Sequence, residues 1–267
     1  MQTRDAFLTD MYMNFRKILA TLSPCTALQP YNWFIRPDAI RLDGKFGLQQ
    51  MVYCDLADET SRDLANGINH LIELTMRLKS WELVIRPLGV DEKFYLLHEF
   101  IDDLAAMALL SPYTLKARFF FAIAHLSHQA NCVLDGDSWE DTWEILPSDS
   151  GINEEVAIRL TKRWRSWRRL NRFLNTVDMQ DYKKATGNFR NKHTHRFTPR
   201  VELGLTQMTK RLPSGNDGQI CYGIGGSEPM KLSEVVAELK KQCASLSKCF
   251  GEFQKLANEQ RAVLFGE

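Results

Sequence analysis

No apolar run in this sequence approaches the roughly 20 residues that a membrane-spanning helix needs. The most apolar segments, Leu104–Leu110 and Phe119–Ala124, are far shorter, so no membrane partner is expected. The amino terminus, Met1 to Asp10, has no apolar run of the kind that marks a signal peptide, and the expectation is a cytoplasmic protein. Charge of one sign is also lacking: Lys plus Arg is 34 against 33 for Asp plus Glu, a net charge of +1. Any anionic partner must therefore be read from local patches. The six cysteines (Cys25, Cys54, Cys132, Cys221, Cys243 and Cys249) include no pair separated by two residues, which disfavours a zinc ribbon or thioredoxin-type motif. They are expected to be reduced thiols. Internal repeats and low-complexity tracts are absent. So are serine-nucleophile signatures. Gly223–Gly226 lacks the Lys-Ser/Thr ending of a phosphate-binding loop.

What is present is helical periodicity. Arg4–Leu22 is amphipathic, and Leu64, Ile68, Leu71, Ile72, Leu74, Leu78 and Trp81 trace a helix from Asp58 to Val84, stopped by Pro87 and Gly89. Between them, Asn32–Ile35 and Phe46–Tyr53 alternate like short strands. Asp91 is placed to cap a helix carrying Phe94, Leu97, Ile101, Leu104, Met107 and Ala108. Ser111-Pro112 reads as the N-cap and first turn of the next helix, Tyr113–Leu134, making an antiparallel helical hairpin. Asp178 is placed to cap a helix running to about Phe197, closed by Pro199. Val201–Leu212 and Gln219–Ile224 flank Ser214–Gly218 as a β-hairpin, and a last helix spans Leu232–Leu264. The fold class is mostly α: an elaborated antiparallel helical bundle with a small β-hairpin insertion around 200–226. Residues 1–267 read as a single domain, with 1–57 as an amino-terminal extension.

Charge is distributed in blocks. From Asp135 to Glu155 there are eight acidic and no basic residues. Then Arg159, Lys162, Arg163, Arg165, Arg168, Arg169 and Arg172 follow with no acid among them. On one helix, Leu160, Trp164, Trp167 and Leu174 share an apolar face, and the cations surround the remainder. Those cations can track a nucleic-acid backbone, or they can pair with the acids before them. The tryptophan spacing favours core over base stacking.

The densest chemistry is Phe189-Arg190-Asn191-Lys192-His193-Thr194-His195-Arg196-Phe197. Arginine offers a permanently charged fork that matches phosphate, and histidine moves protons near neutral pH. Together they can hold a phosphodiester, take a proton from a ribose 2′-hydroxyl and protonate the leaving 5′-oxygen. That chemistry requires neither metal nor cofactor. On a helix Asn191 and His195 share a face, whereas Arg190 and His195 diverge by roughly 140°. A two-fold dimer that brings two copies of the segment to one cleft would reconcile them.

Arg190-Asn191, three residues, His195 and then Arg196-Phe197 resembles the signature of the HEPN superfamily: Arg, four to six residues, His, with a polar residue often following the Arg. An Arg-Asn with His at this spacing arises by chance roughly 0.02 times in such a chain. The resemblance implies an α-helical, often dimeric, metal-independent ribonuclease of the kind found in toxin–antitoxin, abortive-infection and antiviral systems. An antitoxin or regulatory partner comes with that implication. Carried over by residue, Arg190 and His195 take the catalytic positions and Asn191 the supporting polar one. His193 falls at a variable position as a possible accessory. Phe197 stands where some branches have Tyr. Lys192, Arg196, Arg159, Lys162, Arg163, Arg165, Arg169 and Arg172 are the candidate RNA-binding residues.

Two other histidine groups compete. Arg118 and His125 meet a looser form of the motif, but their apolar interior reads as core helix. His125 and His128 lie three apart, and with His98 and Glu99 they resemble pieces of a helical-bundle metal site, although the glutamates such sites use at matching intervals are missing. The expected function is thus an RNA endoribonuclease. The rivals are a non-catalytic helical RNA- or protein-binding module and, third, a metal-dependent helical enzyme.

Overall fold

The structure, a computed structural model, describes residues 3–34, 47–214 and 219–266. The described chain is mostly helical, with one two-stranded antiparallel sheet. In order, its helices are α1 (Arg4–Thr21), α2 (Gly47–Ile85), α3 (Val90–Leu96), α4 (Asp102–Asp135), α5 (Glu154–Leu160), α6 (Trp167–Leu174), α7 (Gln180–Ala185), α8 (Phe189–His195) and α9 (Leu232–Phe265). A π-helical turn, Leu97–Ile101, joins α3 to α4. Strands β1 (Thr209–Ser214) and β2 (Gln219–Ile224) pair with Thr209 opposite Ile224 and Pro213 opposite Ile220. The hairpin falls within the expected 200–226, but its first strand runs over Thr209–Ser214 and not Val201–Leu212, and Val201 and Thr206 make only isolated bridges; residues 215–218 lie outside the described residues. No described helix is long and apolar enough to cross a membrane.

The chain packs as two compact units. The first comprises residues 1–25, 73–110 and 179–241. Its core includes Phe15 stacked on Trp81 (4.5 Å between ring centroids) and Trp81 stacked on Phe100 (5.0 Å), with Leu78, Leu96 and Leu239 fully buried. Burial of each such side chain is worth about 1.5–3 kcal/mol. Here Glu202 accepts from both Lys93 Nζ and the Leu232 N–H, each at 3.1 Å, satisfying an otherwise open donor at the start of α9.

The second unit comprises residues 26–72, 111–178 and 242–267. Leu64, Ile68, Phe119, Ile123, Phe250 and Phe253 fill its core. Buried polar groups are linked across it: Tyr53 Oη donates to Ala257 O (3.0 Å) and Gln260 Oε1 (3.2 Å), and Gln260 Nε2 donates to Ser127 Oγ (2.9 Å). In a dry interior those groups would each cost energy if left unpaired.

Several expectations about the helices need correction. First, α2 begins at Gly47, so residues 47–53 are helix and not strand. Its seam continues backward through Ser61, Ala57 and Tyr53, small or polar residues that hide the period. Ile35 and Phe46 lie outside the described residues; Asn32 to Phe34 are irregular. Second, Ser111-Pro112 starts no helix, because Pro112 lies inside α4 and no hairpin forms there. The ring removes an N–H, and a nearby carbonyl, Leu109 O, is taken by the Tyr182 hydroxyl at 3.0 Å. Gly89, rather than Asp91, caps α3; its N–H donates to Glu92 Oε2 at 3.0 Å.

Third, the basic stretch is two short helices. Glu259 accepts the N–H groups of Arg165 (2.8 Å) and Ser166 (2.9 Å), and those donors are thereby satisfied at the entry to α6. Fourth, the helix expected from Asp178 to Phe197 is interrupted. Asp178, Gly187 and Asn188 all have left-handed backbone, at φ 52°, 60° and 56°. Gly-Asn is a sequence that tolerates this, and it ends α7 before α8 begins.

Candidate functional site

α8 belongs to the first unit and carries Arg190, Asn191, Lys192, His193 and His195 on a single seven-residue helix. Its anchor is Phe189, which is buried. The ring of His193 stacks on Phe189 (5.2 Å, 14°), and His193 Nδ1 lies 3.3 Å from Thr198 Oγ1. This imidazole is held from two sides. His195 is the last residue of the helix, exposed, with no side-chain hydrogen bond or ion pair among the described residues. The two histidines, adjacent in sequence but for Thr194, are therefore in different situations: one is pinned and one is available.

Arg190, Asn191 and Lys192 are half-buried, whereas Arg196 and Phe197 are exposed. The α-helical register puts Asn191 and His195 on one face, and it turns Arg190 about 140° from His195. The short helix starts at the left-handed Gly187-Asn188 step, which leaves a depression of about 300 Å³ lined by Gln180, Lys183, Lys184, Asn188 and Lys192. No acid lines it. Lys183 and Lys184 come from the last turn of α7, eight or nine residues before Lys192. On one continuous helix they would have belonged to a separate turn, and they were not among the expected site residues. The Gly-Asn step that brings them beside α8 is the signal that could have revealed them.

The basic stretch belongs to the second unit. Trp164 and Trp167 are buried, as their spacing predicts, and Trp164 Nε1 donates to Asn131 Oδ1 at 3.1 Å. Three of its arginines are engaged within the chain. Arg159 donates to the carbonyls of Glu144 and Ile145 (2.6 and 2.8 Å), Arg163 forks onto both carboxylate oxygens of Asp135 (2.9 and 3.0 Å), and Arg169 meets Glu252 at 3.1 Å. Lys162, Arg165 and Arg172 make no side-chain ion pair among the described residues, and neither does Arg168.

The competing histidines line two different cavities. Arg118 is partly exposed and contacts both carboxylate oxygens of Asp63 (3.1 and 3.2 Å), and His125 lines a cavity, so the pair flanks the core Phe119–Ala124 and is not itself core. His98 lines a different cavity in the first unit, with Asp102 and Arg200. Burial pushes the Asp102 carboxyl above its ordinary range despite the nearby Arg200. Among the described residues no three His, Cys, Asp or Glu side chains converge as a metal-binding group. All six cysteines are free thiols. Burial pushes Cys249 up to about 12. No family model, no curated protein and no solved structure matches this chain.

Proposed function

We propose that the chain is a metal-independent endoribonuclease of the HEPN type, with α8 as its reactive element. The observation that carries this reading is the pairing of an available imidazole, His195, with a cationic depression lined from the same short helix. In the proposed reaction an imidazole removes the proton of a ribose 2′-hydroxyl, and the 2′-oxygen attacks the adjacent phosphorus. The bond to the 5′-oxygen breaks, and a protonated donor returns a proton to that leaving oxygen. The products are a 2′,3′-cyclic phosphate and a free 5′-hydroxyl, so atoms and protons balance.

His195 is the proton-transfer group. Arg190 binds the phosphate and stabilises its developing charge, and Asn191, on the His195 face, orients the base or the phosphate. The 140° between Arg190 and His195 is bridged when a second copy of α8 faces the same cleft, so the working form is a homodimer. His193 is an accessory residue, since its ring is already held by Phe189 and Thr198. Lys184 and Lys192 carry the flanking RNA backbone. A toxin or antiviral effector of this kind is kept silent by an antitoxin or regulatory partner until it is released.

The second reading, an RNA-binding module without catalysis, is favoured by Lys162, Arg165, Arg168 and Arg172, cations with no side-chain ion pair among the described residues. One experiment separates the two. Purified protein is incubated with total RNA and EDTA, wild type beside His195→Ala. Cleavage by the wild type alone supports the enzyme. Binding by both proteins with no cleavage supports the module.

A further inference from the structure

The acidic block between α4 and α5 does more than balance charge. In the second unit, residues 139–149 cover the His125–His128 face of α4 and enclose, with Val52 and Leu56 of α2, a cavity of about 540 Å³. Two imidazole–carboxylate pairs line it. His128 Nε2 is 3.0 Å from Asp141 Oδ1, and His125 Nε2 is 3.5 Å from Asp149 Oδ1. The second pair is not a formed hydrogen bond: His125 Nε2 is buried and has no partner in hydrogen-bonding geometry. Trp143, at the same cavity, is 79% exposed, and no ring or cation among the described residues covers its face. Among the described residues, no Lys or Arg lines the space.

We infer that this cavity binds a small organic cation, an ammonium or guanidinium group on a short apolar stem. The Asp141 and Asp149 side chains are 66% and 78% exposed, so each keeps acceptor positions open towards a ligand. Burial holds His125 below the ordinary imidazole value, and a neutral ring brings no charge to cancel Asp149. A neutral imidazole nitrogen also accepts a hydrogen bond from an ammonium or guanidinium. The Trp143 face adds the attraction of an indole for a cation, and Val52 and Leu56 supply apolar wall for the stem. An anionic ligand would meet two carboxylates with no compensating cation among the described lining residues. The volume lies within the range of small-molecule sites. Nothing in this inference depends on the ribonuclease reading, because the cavity belongs to the other unit.

The test is isothermal titration calorimetry on the full chain with agmatine and tetramethylammonium as probes and valerate as the anionic control. Saturable one-to-one binding of at least one cation is expected, and no binding of valerate. Asp141→Asn/Asp149→Asn should weaken the cation tenfold or more. Trp143→Ala, at a position 79% exposed, should weaken it about fivefold while the thermal midpoint stays at the wild-type value. Failure of both cations to bind at about 10 mM, equal binding of valerate, or an affinity unchanged in both variants would overturn the inference.

Discussion

Arg163 and Arg196 carry the same guanidinium, yet one is enclosed by an aspartate fork and the other stands in solvent. The two basic regions differ throughout in this way. In the stretch from Arg159 to Arg172, three arginines close local contacts, two of them with the acidic block that precedes them, and both tryptophans are core. In α8 and the residue after it, Lys192, His195 and Arg196 make no side-chain bond among the described residues, and the neighbouring depression is lined by lysine, glutamine and asparagine. A run of seven cations looks the stronger nucleic-acid signal in sequence. Its charge is partly neutralised where it stands, and the shorter α8 cluster keeps more of its field for a partner.

The sharpest way to break this contrast is substitution in both regions. Arg190→Ala and His195→Ala should each cut RNA cleavage by roughly 10² or more, measured as initial rate on one labelled RNA. Arg163→Ala should leave that rate within about threefold, with at most about 1 kcal/mol lost from stability, the range for an exposed bidentate pair. A larger loss of rate from Arg163→Ala would move the functional surface to the second unit.

Next in size is Glu259→Ala. Its carboxylate accepts two backbone N–H groups at the entry to α6, and removing it should cost about 1–2 kcal/mol. For a chain of this size a fall of a few degrees in thermal midpoint is expected. Unaltered stability would show that the basic stretch does not depend on this cap. For the α8 region, Lys184→Glu/Lys192→Glu should flatten the salt dependence of RNA affinity by about 0.7 for each phosphate that is no longer neutralised. An unchanged slope would mean that the backbone passes elsewhere.

The smallest effect is a pH dependence confined to the second unit. Because burial lowers the His125 pKa, the unfolded chain binds a proton that the folded chain resists. Stability should therefore fall as pH drops through the unfolded histidine value near 6.5 towards the lower folded value. Denaturant titrations should show that slope in the wild type and a shallower one in His125→Gln. Identical slopes in the two proteins would mean that the ring is more solvated than its burial implies.

Much of the fold is legible in the sequence where apolar residues mark a seam. α1, α9 and the second hairpin strand follow their periods, whereas the first strand is confined to Thr209–Ser214 and does not reach back to Val201; Trp164 and Trp167 go to the core as spaced. The rest escaped for local reasons. α2 starts at Gly47, well before the seam suggests, because Ala57 and Ser61 occupy its core positions. Pro112 reads as a helix start, yet Tyr182, far along the chain, bonds a carbonyl beside it. The break between α7 and α8 is written in Gly187-Asn188, but Asp178 is a persuasive cap by type and instead has left-handed backbone. At the site, the residue types of α8 are readable, whereas its lysine neighbours depend on how the chain turns back at Asn188, and the pinning of His193 depends on where Thr198 falls after the helix ends. The placement of Asp141 and Asp149 beside the two α4 histidines is likewise hidden, since an acidic run does not disclose which of its members lie against the helix.

If α8 is a reactive surface and not only a basic one, the ends of its cleaved RNA must carry the signature of 2′-hydroxyl attack. The most direct measurement is mass spectrometry of those ends in the presence of EDTA, on an oligonucleotide and on its copy carrying 2′-deoxyribose at the cleaved step. The proposed chemistry predicts 2′,3′-cyclic phosphate and 5′-hydroxyl ends from the first, an intact bond in the second, and neither product with His195→Ala. Cleavage of the deoxy-substituted step, 5′-phosphate ends, or full activity of His195→Ala would contradict it.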